Sequence, residues 1–138
     1  MIDALDFITS THVVEQPLSA VVLMGGEGYF SNDIALNVIE AAADLALESW
    51  HNISRIDDMV HYLLHELPSC NILTVAGIRG NCAAGDVAMA AACDVVLAGC
   101  EVILNPAYGA IGLHGSEYHS LSYTGKCGSA GASRLLLT

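Results

Sequence analysis

Two short loops in the sequence combine polar residues with the start of a predicted helix. The first, Phe30–Ile34, follows one apolar run, and the second, Gly80–Asp86, follows another. The first turn of a helix has unpaired backbone N–H groups, which can point at an anion or at an oxygen that gains negative charge during a reaction. Two such loops side by side would form an oxyanion hole, in which loss of one donor typically costs about 10²–10³ in rate. Either loop alone fits an ordinary strand–helix turn, so the prediction depends on the pair.

Three other kinds of site find little support in the sequence. Gly26-Glu27-Gly28 supplies two glycines of a dinucleotide-binding fingerprint, but serine replaces the third, and two helices follow instead of a strand. His61 and His65 are four residues apart on one predicted helix, but with Glu66 they do not give the HExxH order, and we predict no metal site. Ser116 lacks the flanking glycines of a nucleophile elbow.

The composition argues against several classes of binding partner and several cellular locations. The net charge is −11 with only four Lys and Arg residues, whereas nucleic acids and anionic membranes need a basic face. The apolar tract from Val87 to Val102 contains two carboxylates and is short for a membrane span. The first residues carry no basic segment typical of a secretory signal. The five cysteines form no CxxC pair, which fits reduced thiols in a cytoplasmic protein.

Alternating strands and helices must position the two loops. We predict strands over Ala4–Thr9, Pro17–Met24, Asn71–Ala76, Asp94–Leu97 and Val102–Leu104. We predict helices from Asn32 or Asp33 to Leu45, from Ile53 to Leu67, over Ala83–Ala92 and from Gly128 onward, with a glycine-rich loop over Ala107–Ser122. This alternation is typical of the α/β class, in which crossover helices connect parallel strands. We expect one domain, or part of one.

The segments that contain the loops resemble the crotonase (enoyl-CoA hydratase/isomerase) superfamily. The similarity lies in VVLMGGEGYFSND, AGIRGNCAAGDVAMAAACDVVLA and VILNPAYG. Three further segments, GGEGYFSNDIALNVIEAAAD, ESWHNISRIDD and GLHGSEYHSLSY, are similar to the crotonase-type C-terminal domain of hydrogenase maturation factors of the HypX/HoxX type. The resemblance covers nearly all of the chain from about residue 18. It implies a crotonase-like spiral core that stops before the C-terminal helices, so that residues 1–138 form a single partial domain.

The resemblance also implies a substrate and its binding residues. Crotonases bind acyl-CoA thioesters, and their two backbone oxyanion donors map here onto the N–H groups of Ile34 and Gly85. The neighbouring loop residues are then expected to contact the substrate: Ser31, Asn32, Ala83 and Ala84. Coenzyme A, as part of that thioester, is the expected cofactor. Crotonases also join subunits, so we expect a homo-oligomer.

The HypX-like relatives are understood to split a formyl-CoA-type thioester into CoA and CO, which becomes a ligand in nickel–iron hydrogenase. For this reaction the resemblance offers Tyr108 and Glu117, a phenol and a carboxylate that can handle the formyl proton and the departing thiol. The carboxylates of a hydratase map instead onto Ala88 and onto Ala107 or Tyr108, which argues against hydration of an enoyl-CoA. A generic hydratase or isomerase stays open as an alternative, and so does an inactive chain that only associates.

Two aspartates depart from the family pattern. Asp33 and Asp86 stand where glycine is expected, beside the position where negative charge should develop. At about 5 Å and an effective dielectric constant of about 20, each charge would repel an oxyanion by roughly 3 kcal/mol. We therefore expect weak thioester binding, and we expect replacement of both aspartates by glycine to restore it. The apolar composition with few charges further predicts self-association of the chain.

Overall fold

The structure is a computed structural model that describes residues 1–14, 17–31, 34–106, 108–109 and 114–136. Its helices are α1 (Ile2–Val14), α2 (Leu36–Ala41), α3 (Leu45–His61), α4 (Leu67–Ser69), α5 (Gly85–Ala92) and α6 (His119–Leu136), with a π-helical turn (Tyr62–Glu66) between α3 and α4. Its strands are β1 (Ala20–Met24), β2 (Leu73–Ile78), β3 (Cys82–Ala83), β4 (Val95–Ala98) and β5 (Leu104–Asn105). The predicted α/β class is confirmed.

Two parallel sheets set the direction of the chain. One has the order β1-β2-β4 and the other pairs β3 with β5. Because β1 and β2 are parallel neighbours, with Met24 opposite Gly77, the loops that follow them leave from the same edge of the sheet. Helices α2, α3 and α4 make the crossover between these two strands. This topology brings the two sequence-predicted loops together.

The core lies between one face of the three-stranded sheet and the helices. Ala76 and Ile78 of β2 are buried there with Val60, Leu63 and Leu67 of the crossover helices. The opposite face of the sheet carries exposed apolar side chains, and we call this group the open sheet face: Val22, Met24, Leu73, Val95 and Leu97. Side chains alternate between the two faces of a strand, so one face is buried and the other is not.

The prediction of a first strand is wrong. Residues Ala4–Thr9 belong to α1 instead. Ile2, Leu5 and Ile8 recur every three residues and pack together on the core. A helix therefore buries a continuous apolar stripe that a strand would split between two faces.

The helix predicted from Asn32 or Asp33 to Leu45 is shorter in the structure, where α2 ends at Ala41, and the helix predicted from Ile53 begins earlier, at Leu45. The backbone of Ala42 is extended (φ −75°, ψ 148°), which ends α2. Helix α3 then begins after Asp44, whose side chain accepts a hydrogen bond from the Leu47 N–H at 3.0 Å. Aspartate is a strong N-cap residue, so a second helix starts here. The two predicted caps, Asn32 and Asp33, lie outside the described residues.

The last helix begins earlier than predicted, at His119 instead of Gly128. Gly128 lies inside α6 with φ 69° and ψ 169°, a non-helical conformation that glycine adopts readily. The predicted loop over Ala107–Ser122 therefore ends before His119 in the structure. The remaining predicted strands are confirmed to within three residues at their ends.

Candidate functional site

Hydrogen bonds join the two loops directly. The N–H of Phe30 donates to the carbonyl of Asn81 at 2.9 Å, and the N–H of Asn81 donates to the carbonyl of Gly28 at 3.1 Å. Tyr29 and Asn81 form an isolated parallel bridge. A Cβ atom at Gly80 would lie 2.4 Å from the carbonyl carbon of Gly28, so this close approach requires glycine.

The second loop ends in an unusual backbone conformation at the start of α5. Ala84 has φ 46° and ψ −118°, a region that residues with a Cβ atom rarely occupy. Its N–H donates to the carbonyl of Asn105 at 2.8 Å, and its carbonyl accepts from Val87 at 3.0 Å. Gly85 follows as the first residue of α5, and its N–H has no acceptor among the described residues. A helix N-terminus with a free N–H is what an oxyanion donor needs.

Asp86 connects this helix to the first loop. Its side chain is only 6% exposed, and it accepts hydrogen bonds from the hydroxyl and the backbone N–H of Ser31. Burial raises the pKa of Asp86, while the two hydrogen bonds from Ser31 lower it and the charge of Glu117 raises it further. The carboxylate therefore links the two loops, a role that the sequence did not predict.

A cavity of about 550 Å³ opens beside these loops. It is lined by Met1, Ile2, Asp3, Ser31, Ala35, Asn52, Arg55, Ile56, Met59, Gly85, Asp86 and Met89. Ser31, Gly85 and Asp86 thus face one space. Ile34 is described but does not line the cavity, although the adjacent Ala35 does, and the Ala35 N–H donates to Asn52 Oδ1 at 3.3 Å.

Tyr108 and Glu117 form a second polar pair. The Tyr108 hydroxyl donates to Glu117 Oε2 at 2.8 Å, and both side chains are buried, at 5% and 4% exposure. The backbone of Glu117 has φ 51°, and the ring of His119 lies 5.3 Å from that of Tyr108. Neither residue lines the cavity itself, but the charge of Glu117 acts on Asp86, which does.

Asp57 on α3 is a third carboxylate near this pair. Burial raises the pKa of Asp57. A hydrogen bond from the backbone N–H of Glu117 lowers this pKa, and the negative charges of Glu117 and Asp58 raise it. The Oδ1 atom of Asp57 is buried and has no hydrogen-bond partner among the described residues. The charge of Glu117 thus raises the pKa of both Asp57 and Asp86, in the same direction as their burial.

Comparison with known proteins identifies the family and the fold of the chain. A family model described as enoyl-CoA hydratase/isomerase matches residues 3–138. The chain belongs to this family. It is 42% identical over 123 residues to the hydrogenase maturation factor HoxX of Bradyrhizobium diazoefficiens, an alignment that covers 88% of the chain and 21% of HoxX. The resemblance seen in the sequence is confirmed.

Solved structures of HypX from Aquifex aeolicus share the crotonase-like fold. A variant of that protein matches with a TM-score of 0.86 and 36% identity over 99% of this chain and 23% of HypX. HypX in complex with tetrahydrofolic acid matches with a TM-score of 0.85 and 38% identity, over 98% and 23%. DspI of Pseudomonas aeruginosa, at 23% identity and a TM-score of 0.75, shares the fold alone. The chain thus spans less than a quarter of the length of HoxX and HypX.

Several predicted site residues can now be located in this enoyl-CoA hydratase/isomerase family member. Ala83 lies in β3 opposite Asn105, Ala84 directly precedes α5, and Gly85 is the first residue of that helix. Ala88, where a hydratase carboxylate would map, is buried against Tyr123. Ala107, Asn32 and Asp33 lie outside the described residues.

The sequence did not single out Tyr123 or Asp57. Both lie on helices, where a single tyrosine or aspartate gives no signal of a site. Only the packing of α3, α5 and α6 around Glu117 brings them together. Within the described ranges, no three His, Cys, Asp or Glu residues are grouped as metal ligands would be, although the rings of His61 and His65 lie 4.8 Å apart. None of the described helices is both long and apolar enough to cross a membrane.

Proposed function

We propose that this chain binds a CoA thioester and that it splits a formyl-type thioester into CO and CoA during maturation of nickel–iron hydrogenase. The observation that carries the proposal is the buried hydrogen bond between Tyr108 and Glu117, in a chain similar to HoxX. A phenol and a carboxylate in contact can move protons in both directions. The similarity to HoxX, a hydrogenase maturation factor, suggests the biological setting.

The thioester carbonyl is proposed to lie at the edge of the cavity, where the N–H groups of Ile34 and Gly85 would hold its oxygen. Support comes from the free N–H of Gly85 at the start of α5 and from the hydrogen bonds that join the two loops. Arg55 is the one lysine or arginine among the described residues that line the cavity. It offers a contact for a phosphate of CoA, in a chain whose net charge of −11 otherwise repels that ligand.

The proposed reaction conserves atoms and protons. The carboxylate of Glu117 accepts the proton of the formyl C–H bond, and the pair of electrons left on carbon becomes the lone pair of CO as the C–S bond breaks. The thiolate of CoA takes the hydroxyl proton of Tyr108. Glu117 then returns its proton to the Tyr108 oxygen along the 2.8 Å hydrogen bond, which restores both side chains. No water or oxidant takes part.

Hydration of an enoyl-CoA is a weaker candidate. That reaction needs carboxylates to activate water, and the expected position on α5 holds Ala88, which is fully buried against Tyr123. The cytoplasm is the proposed location, since all five cysteines are reduced thiols in the structure, as a reducing compartment would keep them. A homo-oligomer is proposed from the open sheet face.

The test uses formyl-CoA and the 138-residue chain. CO would be measured through the absorbance of added myoglobin, and CoA through its free thiol. We expect equal amounts of both products, and we expect Tyr108→Phe and Glu117→Gln to lower kcat by about 10²–10⁴. Tyr118→Phe is the matched control, because Tyr118 is exposed and adjacent to Glu117 in sequence, and it should keep full activity.

The outcome separates the alternatives. Hydration of crotonyl-CoA without production of CO would favour the generic hydratase or isomerase. Absence of both turnover and binding, measured by calorimetry with acetyl-CoA, would favour a chain that acts only by association. Full CO production by Glu117→Gln would contradict the role of this carboxylate.

A further inference from the structure

Tyr123 lies between the two halves of the candidate site. It is on α6, only 1% exposed, and its hydroxyl donates to the carbonyl of Ala84 at 3.4 Å. The oxygen of this hydroxyl can also accept the proton of the Tyr108 hydroxyl, which Tyr108 otherwise donates to Glu117. The ring packs against Ala88 and lies edge-on to His119, with the ring centroids 6.0 Å apart.

The bond to Ala84 affects Gly85 through the geometry of the peptide group. The carbonyl of Ala84 and the N–H of Gly85 belong to one planar unit and point in opposite directions. Any contact that fixes the carbonyl therefore fixes the direction of the N–H. Ala84 has φ 46°, a conformation that alanine adopts only where the surroundings hold it.

We infer that Tyr123 is a positioning residue whose hydroxyl connects the Tyr108–Glu117 pair to the Ala84–Gly85 peptide, an inference that rests on the proposed thioester site. The hydroxyl holds the Gly85 N–H in the direction of the substrate carbonyl and holds the Tyr108 oxygen beside the departing thiol. The Gly85 N–H and the Tyr108 hydroxyl then keep a constant position relative to each other.

Packing alone does not account for a tyrosine at this position. Phenylalanine would fill the same space, and burying a hydroxyl is costly unless it has hydrogen-bond partners. Here the hydroxyl donates to the Ala84 carbonyl and can accept the proton of Tyr108, and these two partners belong to different halves of the site. Burial also raises the pKa of Tyr123, so that the hydroxyl keeps its proton and stays a donor.

The first test compares Tyr123→Phe with the unmodified chain. The variant keeps the ring and loses only the hydroxyl. We expect kcat with formyl-CoA to fall about five- to tenfold with little change in KM, as for the loss of one neutral hydrogen bond that orients the site. We also expect a smaller red shift of the infrared carbonyl band of bound acetyl-CoA. Ser122→Ala is the control, because it removes another buried hydroxyl of α6 that does not contact Ala84.

The second measurement needs no substrate and keeps the inference separate from the proposed function. If acetyl-CoA does not bind to the unmodified chain, the thioester proposal fails, and the NMR resonance of the Gly85 amide decides the inference alone. A change of that resonance in Tyr123→Phe but not in Ser122→Ala supports the positioning role. An unchanged Gly85 resonance overturns it, and so does an unchanged carbonyl band where acetyl-CoA binds.

Discussion

At Asp86, burial and hydrogen bonding act in opposite directions on one carboxyl group. Desolvation raises its pKa above the value of 3.8 for a free side chain, and the bonds from Ser31 only partly offset this. The sequence led us to expect that Asp86 repels a developing oxyanion. In the structure its oxygens face Ser31, so part of that charge is directed at two donors instead. Whether the remaining charge weakens thioester binding stays a prediction.

A change of Asp86 to asparagine should alter how stability depends on pH. Because the folded pKa is raised, Asp86 stabilises the fold when protonated, and this contribution is lost as the pH rises through the folded pKa. The asparagine side chain cannot ionise and can still accept a hydrogen bond from Ser31. The free energy of unfolding of Asp86→Asn relative to the parent should therefore increase from about pH 4 to about pH 7, measured by urea unfolding.

Glu40→Gln serves as the control for this experiment, because Glu40 is an exposed carboxylate on α2. It should show the same pH dependence as the parent. If the free energy of unfolding changed with pH in the same way for the parent and for Asp86→Asn, burial would not raise the pKa of Asp86 in the folded protein.

At the scale of elements, the short, strongly apolar segments were predictable. β1, β2 and α5 were predicted from their composition, because the sequence of a buried parallel strand or of a helix of small residues fits few other secondary structures. α1 was not predicted, although the three-residue spacing of Ile2, Leu5 and Ile8 fits a helix and not a strand. In the same way, the pair of loops could be predicted from their position after two strands, whereas Tyr123 joins them only through the packing of α6 on α5.

The contact between the two loops predicts a difference between two glycines. A Cβ atom at Gly80 would meet the backbone of Gly28 and Tyr29 at 2.4 and 2.5 Å, whereas a Cβ atom at Gly28 would meet nothing within 4 Å. Gly80→Ala should therefore lower the free energy of unfolding by about 1–3 kcal/mol. Gly28→Ala, the matched control, should change it by less than about 0.5 kcal/mol. Equal stability of the two variants in urea unfolding would show that the loops separate at little cost.

The whole molecule combines a strong negative charge with an exposed apolar sheet face. Its four Lys and Arg residues include Arg79, which donates to the carbonyl of Gly25, and Lys126, which donates to the carbonyl of Asp94. These two cations are thus occupied with the backbone. Charge repulsion at −11 opposes association of two copies at low ionic strength, and salt screens it over a distance of about 10 Å at 0.1 M.

Self-association through the open sheet face should therefore become stronger as salt is added. Val22 and Leu97 are 56% and 62% exposed on neighbouring parts of one sheet, and burial of such a side chain contributes about 1.5–3 kcal/mol. Sedimentation at micromolar concentration should show oligomers of the parent, and Val22→Thr/Leu97→Thr should weaken association at least about tenfold. Trp50→Gln is the control, because Trp50 is equally exposed, at 67%, but lies on α3. A parent that stays monomeric at high salt, or a control that weakens association as much as the double variant, would show that this face is not the contact surface.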